Sequence, residues 1–311
     1  MVAPALAAVL VAACFDFSAT MAGGPLGDGG TTIPGADASA DDGSMVGLDA
    51  STDANGALAE SGATESGTDA GPFCASQARP DGGIFFCDDF DEHQLPGAWN
   101  VWAQTSGTLV ETDAGAVSPP TAIDVTTQAV TNGQVVNVAL RTPLAVPTPP
   151  ATLTFTYSVE PMQIDTSAGA AIVLGAVDFL DGAGNRYTVG LAINVSSGQP
   201  ALALGEQTGV TDGGNLPDGA PPVYVSHPLS ATQPLSMNGW STVEVELDWT
   251  TTSLEGKVIV DGNPELDTPL TMTVVPTSLQ VGVGTSYVTE YATMASPAWE
   301  LRYDNVVFSA N

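Results

Sequence analysis

From Phe73 to Asn311 the chain is built of short runs in which apolar and polar residues alternate. No segment of twelve or more residues there carries a helical stripe free of Gly or Pro. A period of two sends successive side chains to opposite faces of a strand, so these runs read as β-strands with one buried face. They are VVNVALR (135–141), ATLTFTYSVE (151–160), AAIVLGAVDFL (170–180), RYTVGLAINV (186–195), PALALGE (200–206), STVEVELDW (241–249), EGKVIVDG (255–262), SLQVGVG (278–284) and WELRYDNVVF (299–308). Clusters such as DGAGN (181–185) and DGNPE (261–265) supply turn residues between or after them. With no internal repeat, residues 73–311 read as a single all-β domain, a two-sheet antiparallel sandwich or jelly roll.

The chain ahead of this domain has a different texture. Residues 15–72 are dominated by Gly, Ala, Ser, Thr and Asp, with ten acids and no base. Apolar residues there are too sparse to offset the entropy of ordering, which predicts a disordered, extended linker. Met1–Cys14 reads MVAPALAAVLVAAC, an apolar run of 12 residues, Val2 to Ala13, closed by a cysteine. That run suits a signal-peptide core and is short of the roughly 20 residues that span a bilayer. Val11-Ala12-Ala13-Cys14 resembles the bacterial lipobox, which implies cleavage and lipidation of Cys14. No Lys or Arg precedes the apolar run, a departure from that pattern, and a secretory signal with a chance cysteine is the alternative. Phe15 rather than Asp follows Cys14, which by the same resemblance implies the outer membrane or cell surface.

Charge narrows the partners. Acids outnumber bases 35 to 5, a formal net charge of −30. Nucleic acid and anionic membranes need clustered Lys and Arg, and Arg79, Arg141, Arg186, Lys257 and Arg302 are scattered along the sequence. Anionic polysaccharides are disfavoured by the same argument unless a cation bridges them. Three cysteines are too few for a zinc cluster. Cys74 and Cys87 read as a disulfide in an oxidising compartment, worth about 3 kcal/mol in the chain-entropy picture.

The segment WSTVEVELDWTTTSLEGKVIVDG (240–262) joins two alternating strands and ends on Asp-Gly, a turn pair. It resembles the penultimate hairpin of concanavalin A-like lectin/glucanase jelly rolls, laminin G-like domains included. FFCDDF near the start of the domain and LRYDNVVFSAN at its end resemble the first and last strands of that family, which pair side by side. VDFLDGAGNRYTVGLAI (177–193) resembles its central hairpin. Val243, Val245 and Leu247 are then expected in the core, with Glu244, Glu246 and Asp248 opposite, and Trp240, Trp249 and Trp299 buried.

The resemblance brings glycoside hydrolases into view, but the chain has no Glu-x-Asp-x-x-Glu glucanase motif. A non-standard carboxylate pair would be drawn from Asp178, Asp181, Glu244 and Glu246. Lyase chemistry needs a base and positive groups to stabilise a uronate, and His93 and His227 both read as surface residues in loops. No catalytic residue is assigned. Sugar contacts are expected from exposed aromatics: Trp99, Trp102, Tyr187, Tyr224, Tyr287 and Tyr291. If the terminal strands pair, Asp88, Asp89 and Asp304 approach one another and form a candidate structural calcium site. The expectation is therefore a monomeric, lipid-anchored surface protein that binds carbohydrate or another surface ligand without catalysis. A glycoside hydrolase and a structural or protein-adhesion domain are the alternatives.

Overall fold

The computed structural model describes residues 72–311, apart from 92–94, 129–134, 146–151, 165–170, 182–185, 197–198, 211–222, 231–234, 250–252, 272–275 and 289–298. The signal and lipobox segment with Cys14, and linker residues 15–71, lie outside the described residues. A five-residue helix, α1 (Pro72–Ser76), precedes fifteen strands. They are β1 (Ile84–Asp88), β2 (Val101–Thr105), β3 (Gly107–Thr112), β4 (Ala122–Thr127), β5 (Val135–Ala145), β6 (Thr152–Gln163), β7 (Ala171–Leu180) and β8 (Arg186–Ser196). The rest are β9 (Gln199–Val210), β10 (Val223–Pro228), β11 (Ser241–Trp249), β12 (Leu254–Val260), β13 (Asn263–Leu270), β14 (Ser278–Val288) and β15 (Glu300–Ala310).

The strands form two antiparallel sheets, as the alternation predicts. Sheet A runs β13-β12-β11-β6-β15-β4-β3, with β1 also paired to β15. Sheet B runs β10-β9-β8-β7-β14-β5-β2. Their inner faces bury Phe155, Tyr157, Val243, Val245, Leu247 and Phe308 of sheet A against Val138, Leu140, Leu191, Leu204, Val281 and Val283 of sheet B. Burial on this scale is the main favourable term for a chain with so few charged pairs.

The terminal strands pair as the resemblance implies, Ile84 opposite Ala310 and Asp88 opposite Val306. Glu244, Glu246 and Asp248 alternate with core residues and lie on the outer face of sheet A. Asp261 and Gly262 both take positive φ, 52° and 77°, the backbone of a two-residue hairpin turn between β12 and β13. The disulfide Cys74–Cys87 ties α1 to β1.

Five strands go beyond the sequence reading: β2, β3, β4, β10 and β13. The last contains Pro264 and Pro269, yet it is an edge strand, where a missing N–H can face away from the ladder. One tryptophan is also corrected. Trp299 is buried and Trp249 packs against Phe179, but Trp240 is half-exposed and donates its indole N–H to the Gly115 carbonyl, 2.8 Å away.

Candidate functional site

The outer face of sheet B is where polar chemistry collects. On β5, Val136, Val138 and Leu140 point into the core, so Asn137, Ala139 and Arg141 point out. On β14 the same alternation turns Gln280 and Gly282 outward. On β7 it turns Ala176 and Asp178 outward, and on β8 Arg186, Thr188, Gly190, Ala192 and Asn194. Outward residues on an open sheet would be solvated. Here Arg141 is 1%, Asp178 5%, Arg186 5%, Thr188 2% and Gln280 4% exposed, so this face is recessed.

Strand register arranges these residues in two rows. In one, Gln280 faces Asp178, Asp178 faces Thr188, Thr188 faces Gln207, and Gln207 faces Tyr224 on β10. In the next, Arg141 faces Gly282, followed by Ala176, Gly190 and Gly205. The second row has almost no side chain, which leaves a shallow floor beside the polar row. Gly282 is required there for a specific reason: a Cβ on it would meet Arg141 Cγ at 2.9 Å. The arginine stem thus crosses β14 towards β7.

That crossing brings two of the five bases around one acid. Arg186 Nη2 donates to Asp178 Oδ2 at 2.7 Å, and Thr188 Oγ1 donates to Asp178 Oδ1. Arg141 Nη2 donates to Asn137 Oδ1 at 2.9 Å. Burial pushes the Arg141 pKa down to about 10; Asp178 pulls it back up, and Arg186 pushes it further down. Among the described residues the cluster sets two guanidiniums against one carboxylate, within a chain of −30. It borders a cavity of about 390 Å³ lined by Pro143, Leu144, Asp178, Leu180, Arg186 and Gln280, among others. Two buried acceptors on this face, Gln280 Oε1 and Asn194 Oδ1, have no hydrogen-bond partner. Such a surface can neutralise a carboxylate and accept hydrogen bonds from sugar hydroxyls.

The residues expected from sequence distribute differently. Trp99 is not a ligand contact: it is 2% exposed, sits edge-on to Phe86 and stacks on Phe90. Tyr187 faces Phe179 across the β7–β8 ladder and packs against the core, so it lies on the wrong side of sheet B for that role. Trp102 belongs to β2, Tyr224 to β10 and Tyr287 to β14, but their side chains lie outside the description. Tyr291 and His93 lie outside the described residues.

Of the acids expected to bind calcium, Asp88 and Asp304 do come within electrostatic reach of each other and accept hydrogen bonds from neighbouring donors, while Asp89 Oδ1 is buried without a partner. Asp88 accepts from the Phe90 N–H and the Trp99 indole, at 2.8 and 2.6 Å. Asp89 Oδ2 accepts from the Cys74 N–H at 3.2 Å. Asp304 accepts from Val117 N, Ser118 N, Ser118 Oγ and Asn305 N. These acids lock the strand-β1 seam. Among the described residues no group of three or more His, Cys, Asp or Glu is placed to hold a metal ion.

The four carboxylates offered for hydrolysis are divided between the two sheets. Asp178 is on the outer face of sheet B, while Glu244 and Glu246 are on the outer face of sheet A, Glu246 paired with Lys257 at 2.7 Å. Asp181 follows the end of β7 and acts on Tyr187, on the other side of the sheet from Asp178. His227 is not a free surface residue; its Nε2 lies 2.6 Å from Glu206 Oε1, whose Oε2 accepts from Thr271 N and Oγ1. Sequence reasoning missed Arg141, Arg186, Gln280 and Asn194. The available signal was phase: each sits at the polar positions of an alternating strand.

No family model matches the sequence, and no curated protein matches it. Solved structures do match in fold. An endo-β-1,4-glucuronan lyase from the fungus Trichoderma reesei superposes with TM-score 0.54 at 17% identity, over 73% of this chain and 95% of that one. An alginate lyase from a Chlorella virus gives 0.48 at 12% identity, over 68% and 93%. A marine alginate lyase from Zobellia galactanivorans gives 0.40 at 13%, over 68% and 96%. The glucuronan lyase bears out the jelly-roll sandwich. The glucuronan lyase is itself a polysaccharide-cleaving enzyme, which stands against the expectation of a non-catalytic binder and lends no support to a glycoside hydrolase.

Proposed function

We propose that the outer face of sheet B binds an acidic polysaccharide and cleaves it by β-elimination next to a uronate. The observation that carries this reading is the convergence of Arg141 and Arg186 on Asp178 in a recess of a chain otherwise depleted of bases. Lyase chemistry begins at the carbon beside the carboxylate. Neutralising that carboxylate acidifies its α-hydrogen, and Arg141 is the group held for it, with its stem fixed over Gly282. A base takes the proton, the C–O bond to the next sugar breaks, and the departing oxygen is protonated. The product carries a carbon–carbon double bond. The activity of the glucuronan lyase that shares this fold supports the same reaction class.

This reading qualifies the objection from net charge: the buried guanidinium of Arg141 offers one carboxylate a local counter-charge within a chain of −30. Attachment to a membrane through lipidated Cys14 is part of the same proposal and places the enzyme outside the cell. The test is incubation with glucuronan and alginate, following the ultraviolet absorbance of unsaturated uronate. New reducing ends without that absorbance would mean hydrolysis, and no cleavage of any polyuronate would sink the reading.

A further inference from the structure

We infer that the cavity beside Asp178 and Arg186 is a subsite for an uncharged sugar ring, so that the polymer recognised here interleaves its uronates with neutral residues. This rests on the polyuronate reading above and narrows it. Arg186 and Asp178 sit 2.7 Å apart with both side chains 6% exposed, so each answers the other's charge and little is left to attract a second carboxylate. The adjoining Gln280 is buried, and its Oε1 has no hydrogen-bond partner. An orphan acceptor calls for a donor. A hydroxymethyl or ring hydroxyl supplies one; an ionised carboxylate has none. Gln280 also faces Asp178 across the β14–β7 ladder, so a ligand carboxylate placed against it would sit beside an acid whichever way the amide is turned. Pro143, Leu144 and Leu180 give the same cavity apolar walls, suited to the C–H face of a pyranose.

Arg141 lies one pleat and one strand away from Gln280, about 8 Å between backbones, which is within the reach of one disaccharide unit. A uronate at Arg141 therefore places its neighbour near Gln280. The global charge acts in the same direction. At −30, the protein repels every additional carboxylate of a polyanion, and a chain with half as many suffers less of this.

The experiment is calorimetric titration of the full chain with two β-linked tetrasaccharides of one linkage. One is tetraglucuronate; in the other, glucose alternates with glucuronate, so the two differ only by carboxylate against hydroxymethyl. The alternating sugar is expected to bind about tenfold more tightly. Gln280→Leu should bring that ratio close to one while the melting temperature holds, and Arg141→Gln should weaken both sugars. Equal or tighter binding of tetraglucuronate, or a preference that survives Gln280→Leu, overturns the inference and leaves the polyuronate reading standing. Failure of both sugars to bind overturns both.

Discussion

The two outer faces of the sandwich use the same scarce bases in opposite ways. On sheet A, Lys257 pairs with Glu246 and Asp248 at 2.7 and 3.0 Å, and Arg302 pairs with Asp124 and Glu160 at 2.7 and 2.9 Å. Each base there meets two acids, and the Lys257 cluster is a quarter to a third exposed. Among the described residues of sheet B, two buried guanidiniums are grouped around Asp178. Half-exposed pairs in water contribute little to stability. Buried charges are costly to desolvate and persist where they are paired and hydrogen-bonded. On sheet A, Lys257 is solvated and Arg302 is largely covered with its two acids, whereas on sheet B the buried bases border a cavity, where the proposed site would lie.

The sharpest way to break that contrast is by activity. Arg141→Ala is expected to lower kcat/KM for unsaturated-uronate release by on the order of 10²–10³-fold, the scale for losing one preorganised donor. Lys257→Ala, on the other face, should leave it within about twofold, in line with a solvated pair. Equal losses from the two variants would erase the distinction. Stability comes next. Asp178→Asn leaves the buried Arg186 uncompensated and is expected to cost about 3–5 kcal/mol in denaturant unfolding. Lys257→Ala should move the unfolding midpoint very little. A smaller effect is expected from Gly282→Ala, whose Cβ would reach within 2.9 Å of Arg141 Cγ and 3.1 Å of the Leu140 carbonyl. Misplacing the guanidinium should cost up to about 10²-fold in turnover while substrate KM changes less.

The fold was legible because its signals are local. The alternation of STVEVELDW and the Asp261-Gly262 turn are readable within a few residues, and they place Val243, Val245 and Leu247 in the core as expected. The site was not, because nothing local joins Arg141 to Arg186. They meet only through the order β5-β14-β7-β8, and through a glycine at 282 that lets one side chain cross a strand. Aromatics misled for a related reason. Trp99 lies in a loop-like sequence, yet the carboxylate of Asp88 captures its indole N–H and holds the ring between Phe86 and Phe90. An acid that caps backbone and indole donors has the same letter as one that binds a metal.

Those capping acids supply the mildest test, and they qualify the picture of sheet A as merely solvated. Asp304 shares the outward phase of Arg302 on β15, yet it is fully buried beneath Val117 and Ser118. Burial raises the pKa of both Asp88 and Asp304 to about 6, against the hydrogen bonds they accept. A carboxyl whose folded pKa lies above its unfolded value holds more protons when folded, between about pH 4 and pH 6. Stability is therefore highest below that window and falls as pH rises through it. General repulsion in a chain of −30 slopes the same way, but salt screens it, whereas a buried carboxyl keeps its penalty. Melting temperatures at high salt should thus still decline from pH 4.5 to pH 7, by about a few degrees. Asp304→Asn, which cannot ionise, should flatten part of that decline even if it lowers stability throughout. If high salt abolishes the slope in the unmodified protein, the two acids are ionised at every pH tested, and the β1 seam is held by charge-assisted bonds instead.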